Sequence, residues 1–253
     1  MIERLLGDGI MKEDNSIEIL KKQIEKCDNI VFLGGAGVST ESNIPDFRSS
    51  DGLYKKKNYP YSPEYMLSHT FFVNHTEEFF EFYKNNLVYK DAKPNKAHIV
   101  LSELEKMGKL KAVITQNIDG LHQMAGTKNV LELHGSIHRN YCMNCNKDYS
   151  LEFILESQGI PRCERCGGIV RPDVILYEEM LDTSILERSI QYISNAKMLI
   201  VGGTSLNVYP AAGLISYFRG YPLVLINKEK TPFDNRADFI FREKIGEVLS
   251  KLI

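Results

Sequence analysis

Short apolar runs alternate with stretches of helical periodicity along most of this chain. The apolar runs predict strands at 30–34, 112–115, 130–133, 174–177, 198–201, 223–226 and 238–241. Helices are predicted where apolar residues recur every three or four positions, at 16–27, 97–107, 184–195, 210–218 and 243–252. Apolar strands that alternate with helices are typical of an α/β protein whose parallel sheet is covered by helices on both faces.

Two stretches break this alternation. Residues 49–96 have no strand pattern and carry paired aromatic residues such as Phe71 and Phe72, which predict short helices packed on one another. Residues 139–170 contain four cysteines and predict loops. At its length of 253 residues, the chain is expected to form one large domain, or a large domain with a smaller insert.

Glycine or polar residues follow the carboxyl ends of several predicted strands, at 34–39, 116–119, 134–135, 203–205 and 227–229. Ligands of open α/β sheets bind at these ends, so the five segments predict one crevice. Gly35 and Gly37 open a turn whose backbone N–H groups suit a phosphate. The usual dinucleotide fingerprint is incomplete, because Thr40 replaces its third glycine and lysines at 55–57 stand where an acidic residue is expected.

The cysteine spacing predicts a metal site. Cys142 and Cys145 form one Cys-x-x-Cys pair, and Cys163 and Cys166 form a second pair after seventeen intervening residues. This spacing is typical of a tetrahedral zinc site, and four thiolates leave no open position for water, so the zinc is expected to be structural. The disulfide alternative is disfavoured because nothing indicates secretion. Cys27 stands apart and is expected to be a small apolar residue.

Composition excludes some functions. The 253 residues carry a net charge of −2, which gives no electrostatic reason to expect nucleic acid, and the lysine run at 55–57 is expected to be a solvated loop. Residues 1–15 are too charged for a signal peptide, and no apolar run reaches the ~18 residues of a membrane span. We therefore expect a cytoplasmic location, no nucleic-acid partner and no membrane contact.

Seven motifs, in this order, resemble those of the sirtuins over about residues 17–250. They are GAGVSTESNIPDFR (35–48), TQNIDGLH (115–122), LHG (133–135), the paired Cys-x-x-Cys motifs, VRPDVILYEEM (170–180), GTSLNVYPAA (203–212) and INKE (226–229). The resemblance implies a Rossmann-type NAD-binding domain with a smaller zinc-binding and helical domain. The boundaries it implies are 1–45, 97–138 and 171–253 for the large domain, 46–96 for the cofactor loop and helical module, and 139–170 for the zinc module.

The resemblance also implies an activity, the NAD-dependent deacylation of lysine side chains. The products would be deacylated lysine, nicotinamide and O-acyl-ADP-ribose. His134 matches the general base that deprotonates a ribose hydroxyl, a task that suits an imidazole titrating near neutrality. Gln116, Asn117 and Asp119 match the polar residues that hold the ribose and the nicotinamide amide.

The other implied roles divide between cofactor and substrate. Phe47 would screen the reactive ribose carbon from water, and Arg48 would bind phosphate or ribose. The remaining cofactor-binding residues are Gly35, Ala36, Gly37, Ser39, Ile44, Asp46, Ile118, Gly203, Thr204, Ser205, Asn227, Lys228 and Glu229. The substrate-binding residues are Ile175, Leu176, Tyr177 and Glu178.

One departure from the family pattern and one further position bear on the substrate. Tyr177 and Glu178 stand where the commonest motif has Phe and Gly, a difference that bears on the local backbone and on the peptide contacts. An extended segment at 174–177 is expected to pair with the substrate peptide as an added strand. Asn86 stands three residues after Tyr83, where family members that remove succinyl groups have Arg. An unpaired carboxylate in an apolar tunnel is costly, so acetyl or uncharged acyl groups are expected.

Two rival functions remain open at this point. A mono-ADP-ribosyltransferase would use the same cofactor site without needing acyl-lysine. A non-catalytic NAD-sensing or zinc-ribbon interaction module would need no base beside the ribose, so His134 and the Gln-Asn-Ile-Asp segment disfavour it. The expected partners are acetylated lysines of proteins, and the chain is expected to be a monomer.

Overall fold

A computed structural model describes residues 13–49, 52–55 and 59–253. Two predictions fall mostly outside these ranges, namely the charged start of the chain at 1–15 and the solvated loop at 55–57. The described strands are β1 (Ile30–Gly34), β2 (Leu110–Thr115), β3 (Val130–Glu132), β4 (Gly135–Cys142), β5 (Asp148–Tyr149), β6 (Val170–Val174), β7 (Met198–Gly202), β8 (Leu223–Ile226) and β9 (Phe239–Phe241). The described helices are α1 (Glu13–Lys26), α2 (Pro63–Met66), α3 (His69–Asn74), α4 (Thr76–Asn86), α5 (Lys96–Lys106), α6 (Leu121–Met124), α7 (Leu151–Glu156), α8 (Thr183–Asn195) and α9 (Ile245–Ser250).

Six strands form one parallel sheet in the order β3-β2-β1-β7-β8-β9. The order runs outward from β1 in one direction and from β7 in the other, which is the doubly wound Rossmann arrangement. The carboxyl ends of β1 and β7 therefore lie side by side at the switch point, where a crevice opens. The predicted α/β fold is confirmed.

Helices cover both faces of this sheet. Alternate residues of β1 point to opposite sides, so Phe32 packs with α1, α5 and α9, whereas Val31 and Leu33 pack with α8. The second face is completed by Ala211–Tyr217, a 3-10 helix where the sequence predicts an ordinary helix at 210–218. All residues of β1 are buried, as their apolar character predicts.

A smaller lobe has its own core. The aromatic residues of α3 and α4, among them Phe72, Phe79 and Phe80, pack against residues of the antiparallel sheet β5-β4-β6 and of α7. The predicted packing of short aromatic helices is confirmed. The prediction of loops at 139–170 is wrong in part, because β5 and α7 and part of β4 lie there.

The strand predicted at 174–177 is displaced. The ladder with β4 covers Val170–Val174, and the chain leaves it at Ile175. Ile175 N–H then donates to the carbonyl oxygen of His134, and Tyr177 N–H donates to that of Leu67. Within the described ranges, no helix is both long and apolar enough to cross a membrane.

Candidate active site

A cavity of about 900 Å³ lies at the carboxyl ends of β1, β2, β3, β7 and β8, between the large sheet and the smaller lobe. The five polar segments predicted to converge all contribute to it. The predicted residues that line it are Ala36, Gly37, Ser39, Ile44, Asp46, Phe47, Arg48, Gln116, Asn117, Ile118, Asp119, His134, Ile175, Leu176, Tyr177, Glu178, Gly203, Thr204, Ser205, Asn227, Lys228 and Glu229. Gly35 does not line the cavity, and the four cysteines form a separate site.

The N–H groups of the two glycines after β1 already have hydrogen-bond partners. Gly35 N–H donates to the carbonyl oxygen of Gly202, and Gly37 N–H donates to that of Gly203. Neither N–H group is therefore free to bind a phosphate. A Cβ on Gly37 would lie 2.7 Å from Gly203 Cα. These glycines therefore allow the turns after β1 and β7 to pack against each other, and only Gly37 also faces the cavity.

A polar network joins three strand ends. Ser39 Oγ donates to Asp119 Oδ2 over 2.6 Å, and Asn117 Nδ2 donates to Ser39 Oγ over 3.0 Å. Gln116 Nε2 donates to Thr204 Oγ1 over 3.1 Å. These contacts orient amide and carboxylate groups in the cavity, which suits the binding of a sugar and an amide.

His134 follows β3 and is half-buried. Its Nδ1 lies 2.9 Å from the carbonyl oxygen of Gln116, which can only accept, so the neutral ring carries its proton on Nδ1. Nε2 then has a free lone pair. Burial lowers the pKa of His134 below its ordinary value, and the hydrogen bond to Gln116 acts in the opposite direction. The ring is thus a neutral base near pH 7.

The segment after Asn43, residues 44–48, forms one part of the cavity wall. Asn43 has a φ of 63°, the left-handed conformation that this residue tolerates. Asp46 Oδ1 accepts from the N–H groups of Arg48 and Ser49, which shapes the turn that holds Phe47. The Phe47 ring packs on Tyr54 with centroids 5.5 Å apart.

Residues 175–179, called here the substrate loop, form another part of the cavity wall. The expectation of a free extended edge at 174–177 is only partly met, because Ile175 N–H and both backbone groups of Tyr177 already bond to neighbouring segments. Glu179 pairs with the buried Arg171 at 2.7 and 3.0 Å and also accepts from Leu176 N–H. The bonds between Glu179 and the buried Arg171 therefore hold the substrate loop in place.

The four cysteines meet in one cluster. The Sγ atoms of Cys142 and Cys166 are 3.4 Å apart, those of Cys145 and Cys163 are 3.6 Å apart, and all four lie within 4.8 Å. A tetrahedral ion with Zn–S bonds of about 2.3 Å places its sulfurs about 3.8 Å apart. The cluster fits one structural zinc ion, as predicted. Cys27 packs at the edge of the main core, away from it.

Sequence reasoning missed part of the cavity wall. Tyr54, Leu87 and Tyr89 line the cavity from the small lobe, and Glu243 and Lys244 line it from the start of α9. No motif spacing marked these residues, because their position depends on how the small lobe packs against the sheet. A run of aromatic residues at 49–96 was the only available signal.

The fold and the site together define an α/β protein that binds a dinucleotide at the switch point of its sheet and carries a structural zinc module. The family model described as the Sir2 family matches residues 35–210. The chain belongs to the Sir2 family.

Individual relatives agree with this assignment. The chain is 63% identical to an NAD-dependent protein deacetylase of Clostridium acetobutylicum, over 94% of this chain and 98% of the relative. It is 60% identical to the protein of that description from Clostridium perfringens, over 95% and 99%. A Sir2 homologue in complex with NAD superposes with a TM-score of 0.83 at 40% identity, over 93% of this chain and 91% of that chain. A Sir2 complex with a p53 peptide and NAD+ superposes with a TM-score of 0.81 at 39% identity, over 96% and 97%.

Proposed function

We propose that this chain is an NAD-dependent protein lysine deacetylase that transfers the acetyl group to ADP-ribose. Nicotinamide, O-acetyl-ADP-ribose and free lysine would be the products. The relatives named above support the NAD-dependent deacetylase activity. The observation that carries the proposed chemistry is the free Nε2 of His134 in a cavity that joins five strand ends.

His134 would act as the general base. NAD would supply an electrophilic ribose carbon as its nicotinamide departs, and the carbonyl oxygen of acetyl-lysine would attack that carbon as the nucleophile. A deprotonated ribose hydroxyl would then take the acetyl group, and one water molecule would be consumed in freeing the lysine amine. The Nε2 lone pair of His134 would take the proton of a ribose hydroxyl, while the Gln116 carbonyl holds the ring in the required tautomer. The depressed pKa keeps this ring unprotonated at pH 7.

The polar network would hold the ribose and the amide of nicotinamide. Asn117 and Asp119 are linked through Ser39, so their relative positions are set before the cofactor binds. Phe47 would cover the reactive carbon and exclude water. The adenosine and phosphate end would bind at Thr204, Ser205, Asn227, Lys228 and Glu229.

We propose a division of labour that follows the expected boundaries. The large domain (1–45, 97–138 and 171–253) would bind NAD, and 46–96 would close over it. The zinc module at 139–170 would support the wall that receives the substrate. We also propose a cytoplasmic monomer that acts on acetylated proteins, and gel filtration with multi-angle light scattering tests the oligomeric state.

Acyl choice is proposed from the part of the cavity wall that α4 contributes. Asn86 lines it, accepts a hydrogen bond from the Tyr59 hydroxyl and donates from Nδ2 to Phe82 O over 3.0 Å. Tyr83 is fully buried and does not line the cavity. Lys84 Nζ donates to Ser157 O, away from this wall. The neutral Asn86 side chain offers a succinyl carboxylate no positive charge, so uncharged acyl groups are favoured.

The function is tested by measuring nicotinamide release with and without an acetylated peptide. We expect release to require the peptide, and we expect His134→Ala to lower the rate by about 10²–10⁴-fold. His75→Ala is the matched control, because His75 lies outside the cavity. Release without peptide, with labelling of protein, would favour a mono-ADP-ribosyltransferase. No release at all would favour an NAD-sensing module.

The acyl preference is tested with succinyl- and acetyl-lysine peptides of one sequence. We expect acetyl-lysine to be favoured by about 10²-fold or more, since an unpaired carboxylate is costly to bury. Asn86→Arg should raise succinyl removal, whereas Asn85→Arg, one position away and not in the cavity wall, should not. Faster removal of succinyl than acetyl by the unmodified chain would contradict the proposal.

A further inference from the structure

Glu178 has an unusual backbone conformation for its residue type. Its φ is 74°, in the left-handed region that residues with a Cβ adopt at an energetic cost. A residue held in such a conformation indicates that neighbouring contacts stabilise it. Those contacts are polar, because Glu178 Oε2 accepts from Thr70 N–H over 2.9 Å and from Thr70 Oγ1 over 2.7 Å.

The contact lies where the substrate loop meets the start of α3. The first N–H groups of a helix have no partner within the helix. In α3, His69 N–H donates to the carbonyl oxygen of Tyr177 over 3.0 Å, and Thr70 N–H donates to Glu178. Phe71 N–H is satisfied by the helix's own cap, Ser68. The first turn of α3 is therefore completed by groups of the substrate loop.

Two parts of the substrate loop are held by different contacts: an inner part near Leu176 and Glu179, and an outer part at Tyr177 and Glu178. The inner part is fixed by the buried ion pair of Arg171 and Glu179 and by Leu176 N–H, which donates to Glu179. The outer part lies on the surface, with Tyr177 and Glu178 both exposed. Of the side chains there, Glu178 reaches α3, and Tyr177 reaches Tyr54 through a hydroxyl contact of 2.7 Å.

We propose that Glu178 is a positioning residue for the peptide substrate. Its bond to Thr70 holds the outer part of the substrate loop against the helical module, so that this wall of the cavity is already in place when the peptide arrives. Glycine at this position would adopt the same φ without this side-chain tether. The outer part would then be held only by the backbone bonds and the hydroxyl contact of Tyr177, and it would be ordered further on binding. This inference rests on the proposed function, since it requires that this wall receives acyl-lysine.

Four variants separate the tether from the backbone strain. Glu178→Gly removes both, Glu178→Ala removes the tether and keeps the strain, and Glu178→Gln keeps an acceptor for Thr70. Thr70→Val removes one of the two donors and leaves its N–H. Glu187→Gln, on the exposed face of α8, controls for the loss of one surface charge.

The first readout is kinetic. We expect Glu178→Gly to raise the KM for an acetylated peptide about tenfold and the KM for NAD less than about twofold, because the lost hydrogen bonds touch only the peptide side. Glu178→Gln should recover most of the peptide KM, and Thr70→Val should have an intermediate value. A residue with a merely structural role would lower Tm and leave the peptide KM unchanged.

The second readout needs no substrate. Hydrogen exchange of the Thr70 amide should be faster in Glu178→Gly and Glu178→Ala than in the wild type or Glu187→Gln. Suppose the wild type deacetylates the peptide normally and Glu178→Gly has the same peptide KM. That result would overturn the positioning role of Glu178 but not the proposed function. If the wild type does not act on acetylated peptide, the proposed function is wrong and the positioning role falls with it.

Discussion

The proton on His134 is placed by a backbone carbonyl and not by a carboxylate. A carboxylate partner would favour the charged ring, whereas the Gln116 carbonyl fixes the tautomer and adds little charge. Burial then dominates and lowers the pKa below 6.5. The site therefore has a weaker base than an ordinary imidazole, but one that is available over a wider pH range.

This balance predicts the pH profile. Because the proposed general base acts as the neutral ring, kcat/KM for acetylated peptide should stay level as pH falls from 7 and decline only below about 6.5, through the depressed pKa. The measurement is kcat/KM at saturating NAD across this range. His134→Ala should lose this limb of the profile. A midpoint above 6.5 would contradict the assignment.

A substitution at Gly135 tests how strictly the backbone next to His134, the proposed base, must keep its position. The φ of Gly135 is +77°, and a Cβ would lie 1.9 Å from the carbonyl oxygen of Asp173 in the paired strand β6. Gly135→Ala must therefore move backbone, and we expect it to destabilise the fold by about 3 kcal/mol or more and to lower activity. Thermal unfolding and nicotinamide release measure the two effects.

Gly108 is the matched control for this substitution. It has a φ of +73°, and no described atom lies within 4 Å of the position that a Cβ would take, so Gly108→Ala carries the backbone strain alone. We expect about 1 kcal/mol, which is about 2–4 °C in Tm for a chain of this size. Equal effects of the two substitutions would show that the close approach to Asp173 has no energetic consequence.

At the level of elements, the zinc module is coupled to the cavity by two strands. β4 begins directly after His134, and β6 ends directly before the substrate loop. Both strands also lead to the cysteine cluster, because Cys142 closes β4 and pairs with Val170 at the start of β6. Loosening the metal site should therefore disturb the positions of His134 and of the substrate loop.

Metal removal tests this coupling. We expect about one zinc per chain, and we expect a strong chelator or Cys145→Ser to lower Tm and to reduce deacetylation by about tenfold or more. Cys27→Ser is the control, since Cys27 lies away from the cluster. Metal content by mass spectrometry and peptide turnover are the measurements. Full activity in zinc-free protein would contradict the coupling.

The sequence predicted the elements of the large sheet because their strands are buried on both faces. Continuous apolar runs such as β7 and β8 have no competing interpretation. The pattern failed in β6, where Arg171 and Pro172 are buried, and it predicted a strand at 174–177 instead. Arg171 is buried because it bonds to Glu179, a contact that periodicity cannot indicate.

For the whole molecule, the convergence of five strand ends was predictable, because parallel strands end at one edge of a sheet. The wall contributed by the small lobe was not, since Tyr54, Leu87 and Tyr89 reach the cavity through packing between lobes. The packing of Gly37 on Gly203 was also not predictable from the sequence, because the two turns are far apart along the chain. Local sequence patterns thus located the polar residues of the cavity but not the residues of the small lobe that enclose it.

The ion pair of Arg171 and Glu179 links these parts of the molecule. The exposed fractions of its side chains are 9% and 17%, and Arg171 also lies over the Phe72 ring of the helical module. Glu179→Gln leaves a permanent buried charge without its partner, so we expect a loss of about 3 kcal/mol and a fall in Tm of about 6–12 °C. Glu103→Gln, in the exposed pair with Lys106, should change stability by less than about 0.5 kcal/mol.

The loss of stability in Glu179→Gln should depend on pH, because it depends on the charge of the Glu179 carboxylate in the wild type. Burial acts to raise the pKa of Glu179, but hydrogen bonds from Arg171 and from Leu176 N–H hold it below its ordinary value of 4.5. A depressed carboxylate pKa stabilises the fold above the unfolded value and ceases to do so as pH falls through the folded value. The Tm difference between wild type and Glu179→Gln should therefore be full at pH 7 and narrow below 4.5. A difference that widens in acid would mean that Glu179 does not carry its charge in the folded protein.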